Sequence, residues 1–527
     1  MSPDNALPDL AFLFVHVPKS LEIHPPFGAI STVNYISSGL FSMADILDRA
    51  GIPTRILHLG IERCIDPGFD LAAFVSRHRI PAVGFSLQWH HSIADVLEEA
   101  RKVKDRCPDT RVILGGLTAT HFHREIRAAC PYIDHIALGE GERQIVSLAR
   151  NDHAVASSAS PRLPHDRLAK ADTPQSPAPA PGSLSPRLPH DRLAKADTPH
   201  SPAPAPRALS SRAYSALNFE RFDLLLHHEW LPGQHYILYP RRPRLNRALV
   251  RLALRNTYFV PLGRGCSMEC AFCGGSRSAQ KALMNRTAPA FRSPESVEQG
   301  LRLAVEQGGF KTVSSSFDPT PWARGPLLAV LEHLVRAGPR LSWSFDVFRP
   351  PDRDLLKALA AASLPGSRVV LSVNSLNEEV RSRIMDFPYS DSDLLRSLDL
   401  ALAEGVRVFL SVPRNVPLDP VPATRAEREM ERRLARHPAV TFMLRHPLEL
   451  DPASALERQP ERYGSVVTRR TFDQYLAYHA SRTYDHGFHP AGHTPASWQE
   501  TLCRTRCSLG FPGGRLLCKA MMRDLRS

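Results

Sequence analysis

Thr257–Gly275 reads TYFVPLGRGCSMECAFCGG, a short apolar run followed at once by three cysteines, Cys266, Cys270 and Cys273, and two glycines. The run TYFVPL is rich in aromatic and β-branched residues and stops at Gly263, so it reads as a buried strand. Five further runs follow it, each separated from the next by a helical pattern: KTVSSSF, LSWSFDVF, RVVLSVN, VRVFLSV and VTFMLRH. Strands that alternate with helices pair in parallel, and six such units predict a partial (βα)6 barrel of the TIM type over residues 258–470. A barrel of this kind carries its site at the carboxyl ends of its strands, where the cysteine loop lies.

Three thiolates within eight residues, at C-x3-C-x2-C spacing on a loop, can hold three irons of a 4Fe-4S cube and leave the fourth iron open to substrate. A structural zinc site needs four ligands, and no further Cys or His is near in sequence. Gly274 and Gly275 read either as points of close backbone approach to a bound group or as a simple turn.

The three cysteines, with the aromatic Phe272 just before the third, resemble the motif of the radical SAM enzymes. The resemblance implies that S-adenosylmethionine chelates the open iron and that reductive cleavage yields methionine and a 5′-deoxyadenosyl radical, which takes hydrogen from substrate. It also implies an electron donor such as flavodoxin or ferredoxin, and contacts from Phe272, Gly274 and Gly275 to the cluster or to SAM. The stretch VVLSVNSLNEEVRSRI resembles the family's fourth-strand segment, with Asn374 where the family has Glu, followed by Ser375. By that likeness Asn374 and Ser375 face the amino acid part of SAM. Asp318 and Asp346 stand at predicted strand ends, as groups reaching SAM or substrate or as helix caps.

Ahead of the barrel, residues 1–150 carry a second α/β pattern. Leu10–Val17, Arg55–Leu59, Ala82–Leu87, Arg111–Leu114 and His135–Leu138 are short apolar runs separated by amphipathic stretches such as SIADVLEEARKVKDR. They predict a doubly wound, Rossmann-like sheet of about five parallel strands with its ligand at the strand carboxyl ends. Gly84, Ser86, Gly115, Gly116, Gly139 and Glu140 fall at those ends, and glycines there leave a flat shelf free of side chains. These residues resemble the cobalamin-binding domain that precedes the barrel in B12-dependent radical SAM proteins. The resemblance implies that the shelf takes the corrin and its nucleotide tail, with Ser86 bonding the tail. No Asp-x-His-x-x-Gly occurs, so no histidine is marked as a lower axial ligand. In this family the loop after the third strand faces the cobalt, here Gln88, Trp89, His90 and His91, and Trp89 is the expected packing partner of the ring.

Between the two patterns, Ser160–Pro181 is repeated at Ser185–Pro206 with one change, Gln175 to His200. Twelve prolines in those 47 residues exclude a repeat that buries a shared core, so 151–213 reads as a duplicated linker and 214–257 as a connector. After residue 470 the composition changes: 471–527 holds Cys503, Cys507 and Cys518 near His486, His489 and His493, read as structural or free thiols or as a second metal site. Cys64, Cys107 and Cys130 read as buried small apolar residues.

The 527 residues suffice for about three or four units with a sizeable core, and no apolar run nears the ~18 residues of a membrane helix. The expectation is a cytoplasmic protein. Its net charge is +13, yet only nine of its 66 basic residues are lysine and the arginines are scattered, which favours anionic small-molecule pockets over a nucleic-acid groove. Taken with the resemblance, the chain is expected to be a B12-dependent radical SAM enzyme that methylates an unactivated carbon of a small molecule. The alternatives are a non-methylating rearrangement, cyclisation or oxidation on the same cofactors, or a cobalamin-binding sensor without catalysis.

Overall fold

The computed structural model describes residues 9–18, 20–23, 28–31, 36–151, 208–229, 237–239, 257–316, 321–413, 415–419, 423–446, 448–481 and 486–494. Asp318, the duplicated segment from 160 to 206, and Cys503, Cys507 and Cys518 lie outside them, as does the side chain of Cys64.

Five parallel strands build the first sheet: β1 (Phe12–His16), β2 (Thr54–His58), β3 (Ala82–Ser86), β4 (Arg111–Gly115) and β5 (His135–Ala137). Their order is β2-β1-β3-β4-β5, so the winding reverses between β1 and β3 and a crevice opens there at the carboxyl ends. Both faces are covered, which explains the near-continuous apolar runs. Phe12 and Phe14 point to one face with Ile56 and Ile113, while Leu13 and Val15 point to the other with Val83 and Val112. Helices α1 (Ser38–Arg49), α2 (Ile93–Arg106) and α3 (Leu117–His121) connect or flank these strands.

The second sheet has six parallel strands in simple sequential order: β6 (Thr257–Phe259), β7 (Thr312–Ser316), β8 (Ser342–Val347), β9 (Arg368–Ser372), β10 (Arg407–Pro413) and β11 (Val440–His446). Every strand that the sequence predicts is present, and β6 and β11 are the two edges, so the barrel is partial. Its helices start on polar caps that satisfy the free amides of a first turn. Ser276 opens α4 (Arg277–Met284), Ser293 with Pro294 opens α5 (Pro294–Glu306), and Ser390 and Asp393 form a capping box on α6 (Asp391–Ala403).

One apolar cluster runs through both units: Phe12, Phe14, Phe41 and Ile113 of the first sheet's inner face join Phe222, Tyr258, Phe310 and Met268 of the barrel side. The connector takes part, since Leu226 N–H donates to the Ile56 carbonyl and Phe222 stacks edge-on to Phe41 and Tyr258. Among the described residues, the segment after residue 470 packs onto the first unit. Helix α7 (Phe472–Ser481) inserts Phe472 and Tyr475 into the outer core of the first sheet, against Phe122. Among the described residues no helix is long and apolar enough to cross a membrane.

Candidate functional site

The carboxyl ends of both sheets face one cavity of about 730 Å³. From the first sheet it is lined by Gly84, Ser86, Gly115, Gly116 and Gly139, and by Trp89 and His91 of the loop after β3. From the barrel it is lined by Phe259, Gly265, Ser316 and Asp346. The loops above β3 and β4 are laced together: Leu87 N–H donates to Gly115 O, and the Thr118 hydroxyl donates to Gln88 O. Gly116 has φ +117°, and a Cβ there would lie 2.6 Å from the Leu87 carbonyl oxygen, so only glycine fits. Trp89 is 46% exposed with its ring on the cavity wall.

The cysteine loop begins directly after Gly265, whose φ of +94° turns the chain from the short strand Gly263–Arg264. Cys266, Cys270 and Cys273 form no disulfide. Backbone amides converge on the sulfurs: Met268 N–H donates to Cys266 Sγ at 3.4 Å and Gly275 N–H to Cys273 Sγ at 3.3 Å. Such donors stabilise ligating thiolates and tune a cluster, so the loop fits an iron-sulfur group. Burial, with the Asp451 carboxylate beside it, pushes the Cys273 thiol up to about 12 in the absence of a cation, whose charge would reverse that preference. Gly274 packs against Pro452 O and Asp451, and its amide donates to Asp451 Oδ2 at 3.1 Å. Phe272 is half-buried against the barrel core.

The two glutamates after β5 work across the junction. Glu142 accepts from the Arg264 guanidinium at 2.6 Å and from Ser42 Oγ at 3.0 Å. Burial alone would raise its pKa, but the Arg264 charge and hydrogen bond hold it below the ordinary carboxylate range. Glu140, almost wholly buried, pairs with the equally buried Arg286 and accepts from Leu209 N–H. Thus Glu140 lines the cavity while its carboxylate ties the first sheet to the loop that follows the cysteines. Its sequence position marks a strand end, but Arg286 lies 146 residues away, and nothing local to Glu140 identifies it as the partner.

Asn374 and Ser375 are buried and bonded inward. The Asn374 amide reaches Ser372 O and Met385 Sδ, and the Ser375 hydroxyl donates to Asp419 Oδ1 at 2.5 Å. The fully buried Arg381 donates to Ser375 O at 2.8 Å. They brace the turn after β9 and are not among the cavity residues. Asp346 is on the cavity wall, and burial, opposed by Ser316 and Arg368, pushes its carboxyl up to about 6. Cys130 is buried in the first unit's core, as expected, whereas Cys107 is only half-buried against that core. His486 and His489 are buried, the latter in a two-stranded antiparallel sheet of Ser465–Val467 with Phe488–Pro490.

The loop after β3 also meets the barrel. His90 is buried; its Nδ1 lies 3.0 Å from His479 Nε2 of α7 and its Nε2 lies 3.4 Å from Asp451 Oδ1. Burial and the adjacent His91 lower His90 to about 4, so its imidazole is neutral at ordinary pH. His91 contacts Glu449, whose carboxylate is held well below its usual range, against its burial, by the two histidines and Arg469.

Residues 260–422 match the Radical SAM superfamily, and residues 29–149 match the B12 binding domain. No curated protein matches the chain. Among solved structures it is similar to the radical S-adenosylmethionine methyltransferase TsrM from Kitasatospora setae with cobalamin and a 4Fe-4S cluster bound, at 14% identity and a TM-score of 0.60 over 97% of this chain and 89% of that one. The same enzyme with tryptophan substrate and an aza-SAM analogue bound aligns at 14% identity and a TM-score of 0.59, over 97% and 95% of the two chains. At such identity the likeness concerns the fold. Together with the two family matches, it makes this chain a member of the radical SAM superfamily with a B12-binding domain ahead of its barrel.

Proposed function

We propose that this B12-dependent radical SAM enzyme methylates an unactivated carbon of a small-molecule substrate. The observation that carries the reading is the single cavity bounded by the glycine shelf of the first sheet and by the barrel strand ends next to the cysteine loop. When bound, the cluster with SAM supplies a hydrogen-abstracting radical and the corrin supplies a methyl group. The similarity to a methyltransferase that binds cobalamin and a cluster supports this choice.

In this reading Cys266, Cys270 and Cys273 hold three irons, Gly275 keeps the space beside the Cys273 sulfur clear of a side chain, and Gly274 lets the loop close on Asp451 and Pro452. Gly84, Ser86, Gly115, Gly116 and Gly139 form the floor for the corrin, with Trp89 against its ring. Glu140, Asn374 and Ser375 are positioning residues: Glu140 ties the first unit to the barrel side through Arg286, and the other two hold the turn after β9. Asp346, ionised above pH ~6, orients substrate through a carboxylate or accepts its proton. Facing the two cofactor floors across one shared space makes successive steps effectively intramolecular. A flavodoxin or ferredoxin is the expected electron donor.

The test is anaerobic turnover of reconstituted enzyme with methyl-labelled SAM and candidate small molecules, followed by mass analysis. Label in the product together with 5′-deoxyadenosine is the expected result, lost in C266A/C270A/C273A. Formation of 5′-deoxyadenosine with product that carries no label would assign the non-methylating chemistry instead. Absence of 5′-deoxyadenosine under all conditions would assign the chain to non-catalytic cobalamin binding.

A further inference from the structure

We infer that His90, His91 and Glu449 form a binding site for a divalent transition metal ion of the zinc type, at the edge of the cavity and sharing no ligand with the cysteine loop. The two histidines follow β3 of the first unit, and Glu449 follows β11 of the barrel, so only the assembled junction brings them together. One ligand atom from each lies within 4.8 Å of the others. A tetrahedral ion with bonds of ~2.0–2.1 Å holds its donors roughly 3.4 Å apart, which small rotations of these side chains reach.

His91 Nδ1 is buried and makes no hydrogen bond, while Glu449 Oε2 is in ion-pair contact with His91 Nε2 and His90 Nε2 faces Asp451 without good hydrogen-bond geometry. Buried polar atoms are almost always satisfied, so an unsatisfied His91 Nδ1 within a cluster of three metal-type donors points to a group bound among them. Imidazole nitrogen and carboxylate oxygen are the donor set of zinc and of ferrous iron. The outer contacts are those a ligated site uses to aim its ligands. His90 has His479 Nε2 3.0 Å from its Nδ1, leaving Nε2 to the ion, and the Tyr478 hydroxyl donates to Glu449 Oε1 at 3.1 Å. Asp451, 3.4 Å from His90 Nε2, adds a second negative charge beside the site. Three protein ligands leave a coordination position for water or a substrate group, and His91 lines the cavity.

The measurement is the metal content of full-length protein with its cluster reconstituted, incubated anaerobically with Zn²⁺ and desalted, for the wild type, H91A and E449Q. The expected result is one zinc per chain beyond the cluster iron in the wild type, lost in H91A and E449Q while iron and cobalamin content are kept. X-ray absorption at the zinc edge should show nitrogen and oxygen donors and no sulfur, which separates this site from every cysteine in the chain. Zinc retained equally by both variants, zinc ringed by sulfur, or no zinc in the wild type would each overturn the proposal. So would loss of a nitrogen splitting from the cobalt(II) EPR spectrum in H91A with no zinc bound, since that assigns the imidazole to the corrin. E449Q keeps the size and hydrogen-bonding capacity of the side chain, so it decides the matter if H91A folds poorly.

Discussion

Asp346 is a single side chain whose sequence reading left two roles open, ligand contact or helix cap. It lies in β8 on the cavity wall, with the Ser316 hydroxyl 3.4 Å from its Oδ2 and its carboxyl pushed from 3.8 to about 6 by burial. Between those two values the native carboxyl keeps a proton that the unfolded chain has released. Stability contributed at this position therefore falls as pH rises from about 4 to about 6 and stays reduced above. D346N removes the charge, so its melting temperature should exceed that of the wild type at about pH 7.5 and converge with it near pH 4. Equal midpoints at both pH values would show that the carboxyl is not desolvated. At Asn374, expected by resemblance to face SAM, the amide makes contacts at 3.4 Å to Ser372 O and 3.3 Å to Met385 Sδ inside the turn.

Among elements, the loops after β3 and β4 decide the shape of the first unit's floor. Their glycines were visible as a chain pattern, and the parallel pairing of β3 with β4 sets Ser86 beside Gly115. What the pattern did not reveal is that Gly116 and Gly115 differ. An added Cβ at Gly115 meets Ala137 Cβ at an ordinary 3.7 Å, whereas at Gly116 it runs into the Leu87 carbonyl with φ at +117°. G116A should therefore lose more than about 1 kcal/mol of unfolding free energy and retain less cobalamin, while G115A stays within about 0.5 kcal/mol of the wild type. Denaturant unfolding with cobalamin absorbance on the same samples checks both; equal loss in the two variants would contradict the backbone argument. The six barrel strands were legible because each is a short apolar run between capped helices, signals that are local to the chain.

For the whole molecule, the junction between the units is built from charges as well as apolar surface. Glu140 and Arg286 are both almost wholly buried, and Arg264 joins the Glu142 side of the same network just before Gly265 and Cys266. Removing one partner leaves the other charged and buried, a loss of about 3–5 kcal/mol. E140A should show that loss in equilibrium unfolding, and its cluster should be lost faster on exposure to chelator, because Arg286 packs on Gly265. Unchanged unfolding would mean that water reaches the pair. Helix α7 adds a second tie, since Phe472 and Tyr475 fill the first unit's outer core although they follow the barrel in sequence.

The strands, both sheet types, the cysteine loop and the glycine-lined ends follow from patterns within a few residues: alternation of runs, turn residues, and a fixed cysteine spacing. Local sterics and local hydrophobicity govern these, so they can be read in one dimension. The single cavity, the inward use of Asn374 and Ser375, the Glu140–Arg286 tie and the meeting of His90 and His91 with Glu449 came only with the folded chain. The Glu140–Arg286 and His91–Glu449 meetings join groups 146 and several hundred residues apart whose approach is set by how two sheets pack, and Ser375 meets Asp419 across 44 residues of the barrel, so neither partner's own surroundings in the chain carry a mark of the other. Asn374 has near partners, but only the folded turn aims its amide at them.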